Sequence, residues 1–155
     1  MESRPLTIPT YDKPDRQVIV LGNDGTLAVL NDVDEYVITV PCRITKVQGT
    51  LRNTGTTSGS TTFDVKKSAG GVGAFTSILT AALSIAFNAA AGAKYATSWG
   101  NANKPKDGAG LTPVVKEPSG VECFPGDVLR LDVTAIPGGA SAGLSVYLEA
   151  VNTQV

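Results

Sequence analysis

The stretch that most restricts the fold is Phe124 to Val151, FPGDVLRLDVTAIPGGASAGLSVYLEAV, in which two strictly alternating runs flank a glycine-rich connection. Leu129, Leu131, Val133 and Ala135 share one phase, and Arg130, Asp132 and Thr134 the other, the two-residue period of a half-buried strand. The second run repeats the pattern, with Leu144, Val146, Leu148 and Ala150 inward and Ser145, Tyr147 and Glu149 outward. Pro125-Gly126 suits the centre of a type II turn, because proline presets the first dihedral and glycine accepts the positive second one. The two runs read as antiparallel strands, yet they need not pair with each other if the chain forms a two-sheet sandwich whose successive strands lie in opposite layers.

Upstream the same grammar recurs. Charged residues are 17% of the 155, and 17 glycines and 9 prolines punctuate short apolar runs, a composition of strands and turns rather than of helical bundles. Gln17 to Leu21 and Thr26 to Leu30 flank Gly22-Asn23-Asp24-Gly25, which predicts a hairpin. Asn31 to Glu35 is acidic but lacks the glycine and terminal glutamate of an EF-hand loop, so a solvated turn is expected. Tyr36 to Arg52 is the longest strand expected, and its phase slips at Thr45-Lys46, where a bulge or a corner between sheets belongs. Thr61, Phe63 and Val65 restart a strand after the polar loop at 53–60. Short strands are also expected at Pro113 to Lys116 and Val121 to Phe124.

No charge occurs between Lys67 and Lys94. Phe75, Ile78, Leu79, Ala82, Leu83, Ala86 and Phe87 recur at helical spacing, but Ser77 to Leu79 with Leu83, Ile85 and Phe87 fit two strands equally well. Serine, threonine, asparagine and glycine dilute the run too much for a bilayer span. Residues 93–118 form a long loop around Trp99, a type of segment that is usually functional or packed on a partner.

The excluded chemistries are informative. The chain has no histidine, which removes Ser-His-Asp and Cys-His catalysis and the commonest zinc sites. Net charge is -1 without a basic block, so no nucleic-acid contact is expected. The N-terminus lacks the apolar core of a secretory signal, so synthesis in the cytoplasm is expected. Cys42 falls in phase with Ile38, Val40 and Ile44 and reads as a small buried hydrophobe. A carboxylate glycosidase on Asp127 or Asp132 would need a second carboxylate in a cleft, and Asp132 lies on the solvent phase of its run. No cofactor is expected.

Residues 1–16 hold Pro5, Pro9 and Pro14 with Leu6, Ile8 and Tyr11 between them, and show neither helical nor strand period. Such a segment is either a loose tail or an extended arm whose apolar residues anchor on a neighbouring subunit, and the arm is the expectation. A single sandwich domain is expected over 17–155.

The motif series GTLRNTGTTSGSTTFDVKK (Gly49 to Lys67), SIL (Ser77 to Leu79), PGDVLRLDV (Pro125 to Val133) and AGLSVYLEA (Ala142 to Ala150) resembles the jelly-roll domains of tailed-bacteriophage virion proteins. The resemblance covers Tyr36 to Val151, while the alanine-rich 80–93 region and the Trp99 loop depart from it. It implies an all-β, jelly-roll-like sandwich of about eight strands, with the extended arm and at most one short helix at 75–88. It further implies a non-enzymatic capsid decoration, cement or head-fibre protein on the virion exterior. Its partners would be two further copies in a homotrimer and the major capsid protein or neighbouring virion subunits, with neither nucleic acid nor membrane. Candidate partner-binding residues are Leu6, Ile8, Tyr11, Tyr95 and Trp99. The rival reading is a receptor- or carbohydrate-binding module in which Tyr95 and Trp99 stack on a sugar.

Overall fold

The computed structural model describes residues 16–92, 94–96, 115 and 120–153. The two alternating runs between Phe124 and Val151 form β9 (Val128–Ala135) and β10 (Ala142–Asn152), and they lie in opposite sheets. The first sheet also holds β1 (Arg16–Thr26), β3 (Cys42–Asn53), β7 (Tyr95–Ala96) and β8 (Val121–Cys123), in the order β1-β10-β3, with β7 and β8 both on the far side of β3. The second holds β2 (Leu30–Val37), β4 (Ser60–Ser68), β5 (Thr76–Ser77) and β6 (Leu83–Ala86), in the order β2-β9-β4, with β5 and β6 both on β4. All pairings between these strands are antiparallel. With β5/β6 and β7/β8 taken as two broken strands, the connectivity is that of a jelly-roll-like sandwich.

Alternation places the core. Ile19, Leu21, Ile44, Val47 and Leu51 from one sheet meet Phe63, Val65, Leu129 and Leu131 from the other, all essentially inaccessible to water. Gly49 on β3 leaves room for the Phe63 ring of the opposite sheet: a Cβ there would stand 2.3 Å from the ring's Cζ. The Phe124 to Asp127 turn closes as expected, with the Asp127 N–H donating to Phe124 O at 2.9 Å and Gly126 at φ 96°. Residues 136–141 cross from one sheet to the other, and their backbone bonds the β3–β4 loop through Gly138 and Thr57.

Several expectations need correction. The hairpin at 17–30 does not form. Β1 runs straight through Gly22 and Asn23 paired with β10, bulges before Thr26, and crosses to β2 in the other sheet. Two features override the turn signal: Asn23 Oδ1 accepts the Gly25 N–H within the bulge, and Gly22 packs where a Cβ would meet Leu144 O at 2.5 Å. The acidic segment at 31–35 is not a solvated turn but part of β2, bulged at Asp32, whose φ is 68°. The long strand at 36–52 is broken: Tyr36 and Val37 end β2, residues 38–41 change sheets, and β3 begins at Cys42. The slip at Thr45 is a bulge against Glu149-Ala150, not the corner.

The uncharged run resolves as strands, β5 and β6. The three-residue 3-10 turn at Ala69–Gly71 is the one helical piece among the described residues. Of the 113–116 expectation, Val115 bridges Leu79 and its neighbours lie outside the described residues. No helix among the described residues is long and apolar enough to cross a membrane. Cys42 and Cys123 are directly opposed in the β3–β8 ladder, both buried and unbridged, and burial pushes the Cys123 thiol up to about 12.

Candidate interaction surface

Three features outside the core could carry function: the free edge at β1, an apolar cluster at one end of the sandwich, and a charge cluster on the outer face of the second sheet.

Β1 is the edge of its sheet, with β10 the only strand paired to it among the described residues. Its inward residues Ile19 and Leu21 are buried, while Val18 and Val20 are 59% and 55% exposed. In an antiparallel ladder the N–H and C=O of one residue point to the same side, and the side alternates along the strand. The Gly22 N–H turns away from β10 to donate to Asp34 Oδ2 of β2 at 2.9 Å. Val18 and Val20, in the same phase, therefore direct their backbone groups to the free edge and their side chains outward. Natural edges are usually blunted by lysine, proline or a bulge; here the Asp34 contact and the bulge after Asn23 close only the distal half, and no strand among the described residues pairs with the free side of Gln17 to Leu21. Val29 and Leu30, also exposed, extend the apolar character toward β2.

At the end where β1 begins, Val37, Val72 and Phe124 are exposed around a fixed carboxylate. Asp127 accepts the Gly70 N–H on Oδ1 and the Phe124 N–H on Oδ2, each at 2.9 Å, and Lys67 Nζ lies 3.6 Å away. Burial would raise its pKa, but the two amides and Lys67 outweigh that and hold it below the usual carboxylate range. Asp127 is thus a staple joining the 3-10 turn to the β8–β9 turn.

Asp132 corrects a sequence expectation. Its phase is outward, but it is fully buried, with Lys66 Nζ at 2.9 Å, Arg130 Nε at 2.8 Å and the Asp32 N–H donating to Oδ1 at 2.9 Å. The Arg130 guanidinium in turn lies 4.1 Å from the centre of the Phe75 ring, so the β4–β5 loop covers the cluster. Despite burial, the bonds from Arg130, Asp32 and Lys66 hold the Asp132 pKa down. Asp64, its cross-strand partner, is pushed up by burial, against the Ser77 hydroxyl bonded to it at 2.6 Å. Two carboxylates with opposed shifts are the raw material of acid–base chemistry. Asp132, however, is enclosed by two cations and an amide, an arrangement that fits a structural ion network better than a substrate cleft. No group of three or more metal-ligating side chains occurs among the described residues.

Of the residues singled out from sequence, Leu6, Ile8, Tyr11 and Trp99 lie outside the described residues, and Tyr95 enters only through its backbone, paired with Gly49. The valines of β1 were legible as an apolar run but not as an edge, since which strand ends a sheet is a property of topology. Comparison with protein-family models, with curated proteins and with solved structures found no match.

Proposed function

We propose that the chain is a non-enzymatic virion structural protein that decorates or cements a phage capsid, working as a homotrimer through subunit–subunit contacts. The observation that carries this reading is the β1 edge, unpaired on one side among the described residues, with Val18 and Val20 turned outward. An unprotected apolar edge is an aggregation hazard unless a partner covers it. The jelly-roll-like scaffold suits such a role, since many weak contacts repeated over a shell act together. The enclosed state of Asp132 argues against the glycosidase alternative. Light scattering on the full chain is expected to give the mass of three copies, and a monomer at every concentration would overturn the reading.

One observation favours the rival, a glycan- or receptor-binding module. On the outer face of the first sheet, a depression of about 460 Å³ is lined by residues including Asp24, Thr50, Arg52 and Ser145. Arg52 donates to Asp24 O at 2.7 Å, and among the described residues the buried Thr50 hydroxyl has no hydrogen-bond partner. A specific hit on a glycan array, lost in Thr50→Val, would move the assignment to that module.

A further inference from the structure

We infer that Cys42 and Cys123 form a covalent modification site: an oxidisable pair that closes to a disulfide within one copy and clips β8 onto β3, reached when β8 opens from the edge of its sheet.

The pairing is enforced by backbone geometry. The Thr153 N–H, just beyond β10, donates to Pro41 O at 3.0 Å, so residues in phase with Pro41 face β10 and Cys42 faces β8. Cys42 and Cys123 are therefore a hydrogen-bonded pair of the antiparallel ladder, with Cα atoms about 5.5 Å apart. That separation falls inside the span of about 4.4–6.8 Å that disulfides bridge. Directly opposed residues send their side chains to the same face, and both thiols are fully buried in the core within hydrogen-bonding reach of each other. The register is pinned on both sides of Cys123. Ahead of it, Gly120 at φ 109° packs so closely on β3 that a Cβ would stand 2.4 Å from Ile44 O. After it, the Gly126 N–H donates to Ile38 O at 2.9 Å and the Ile38 N–H to Asp127 O at 2.8 Å.

The Cβ atoms of such a pair stand about 4.5–5.5 Å apart and draw together to about 3.8 Å on bridging. The strand that can move is β8, which is three residues long and, among the described residues, pairs only with β3. Beyond its ladder it is held by Arg43 Nε, which donates to Glu122 Oε1 at 2.8 Å, and by Lys67 Nζ, which donates to Glu122 O at 2.7 Å. Cys42, in contrast, belongs to a strand bonded on both flanks. Opening of β8 thus exposes Cys123 first. Burial keeps both thiols protonated while the sheet is closed, so reaction waits for that opening.

The oxidant is a small disulfide such as oxidised glutathione. The Cys123 thiolate of the opened strand attacks one of its sulfurs, the S–S bond breaks, and the departing thiolate takes up the proton that Cys123 lost. As β8 recloses, the Cys42 sulfur gives up its proton and attacks Cys123 Sγ of the mixed disulfide, and the second small thiol departs with that proton. Two cysteine thiols are oxidised to one disulfide, and one small disulfide is reduced to two thiols.

Mass spectrometry tests this on the full reduced chain, incubated folded with oxidised glutathione and then alkylated with iodoacetamide in denaturant. Wild type is expected to end as single chains lighter by about 2 Da, the two hydrogens lost on bridging, with neither thiol alkylated. Its urea midpoint should rise above that of the reduced chain, because the bridge joins residues far apart in sequence. Arg43→Ala, which frees the Glu122 side chain, should speed closure about two- to fivefold, the equivalent of a partly exposed ion pair. Phe63→Leu, which weakens the core beside Gly49, should leave the rate unchanged. Thiols that stay open to alkylation, a glutathione adduct that persists as the end product, or a bridge between two copies overturns the inference. A rate that follows Phe63→Leu and ignores Arg43→Ala places the reaction in the unfolded chain and overturns it as well.

Discussion

Asp132→Ala is expected to lower folding stability by about 3 kcal/mol, the low end of the range for removing one partner of a buried ion pair. Asp132 is fully buried, and its loss leaves Lys66 and Arg130 facing each other across β4 and β9 with no anion between them, while the Asp32 N–H loses its acceptor. The effect sits at the low end because both cations keep some access to water. Asp132→Asn keeps an acceptor for Asp32 and should lose less. Replacing all three charged residues with apolar ones of similar volume should recover much of the loss, because the network also carries a desolvation cost.

The pH dependence follows from the directions of the shifts. The folded-state pKa values of Asp132 and Asp127 lie below the unfolded value of about 3.9. Their stabilisation is therefore present above that value and disappears as pH falls through the folded-state values. Asp64 is shifted the other way, so its protonation favours the fold and offsets part of the acid loss. The gap between wild type and Asp132→Ala, measured as the difference in urea midpoints, should be widest near neutrality and shrink below about pH 4. A gap constant from pH 7 to pH 2 would show that the carboxylate is not held by its charge.

Phe63→Ala is expected to cost about 3–5 kcal/mol, the range for truncating a buried aromatic ring. The ring spans from β4 to the opposite sheet and fills the space above Gly49, where any side chain would collide with it. Gly49→Ala should therefore destabilise as well, by about 1–3 kcal/mol through overpacking. The two changes should be non-additive: in Gly49→Ala with Phe63→Leu, the smaller partner leaves space for the new methyl, and the double variant should be more stable than the sum of the single losses implies. Additive losses in denaturant unfolding would mean that the two residues do not share this space.

What the sequence made legible was local. Alternation identified β3, β4, β9 and β10 and their inward residues, and the Pro125-Gly126 turn closed where its chemistry required. The slip at Thr45 was a real bulge. What failed was non-local. The Asn/Asp-Gly turn signal at 22–25 lost to pairing with β10, more than a hundred residues away, because continuous ladder bonds outweigh a single favourable turn. The break at 38–41 was invisible because the apolar phase continues through it and both halves bury the same side. Asp132 shows the same limit: its phase correctly gave the face of the sheet, but no pattern announced that Phe75 and Arg130 would cover that face. The candidate surface at β1 was present as the letters VIVL, and only the order of strands turned it into an edge.

Lysine at both outward positions of β1 tests the central claim most directly. Val18→Lys with Val20→Lys places two charges on an exposed edge, a change that the sandwich itself should tolerate, since neither valine belongs to the core. The solution mass of this variant, measured beside wild type at equal concentration, is predicted to fall from three copies to one while the thermal unfolding midpoint of the monomer fold is retained. A variant that assembles as fully as wild type would contradict the account, because the β1 edge would then play no part in holding copies together.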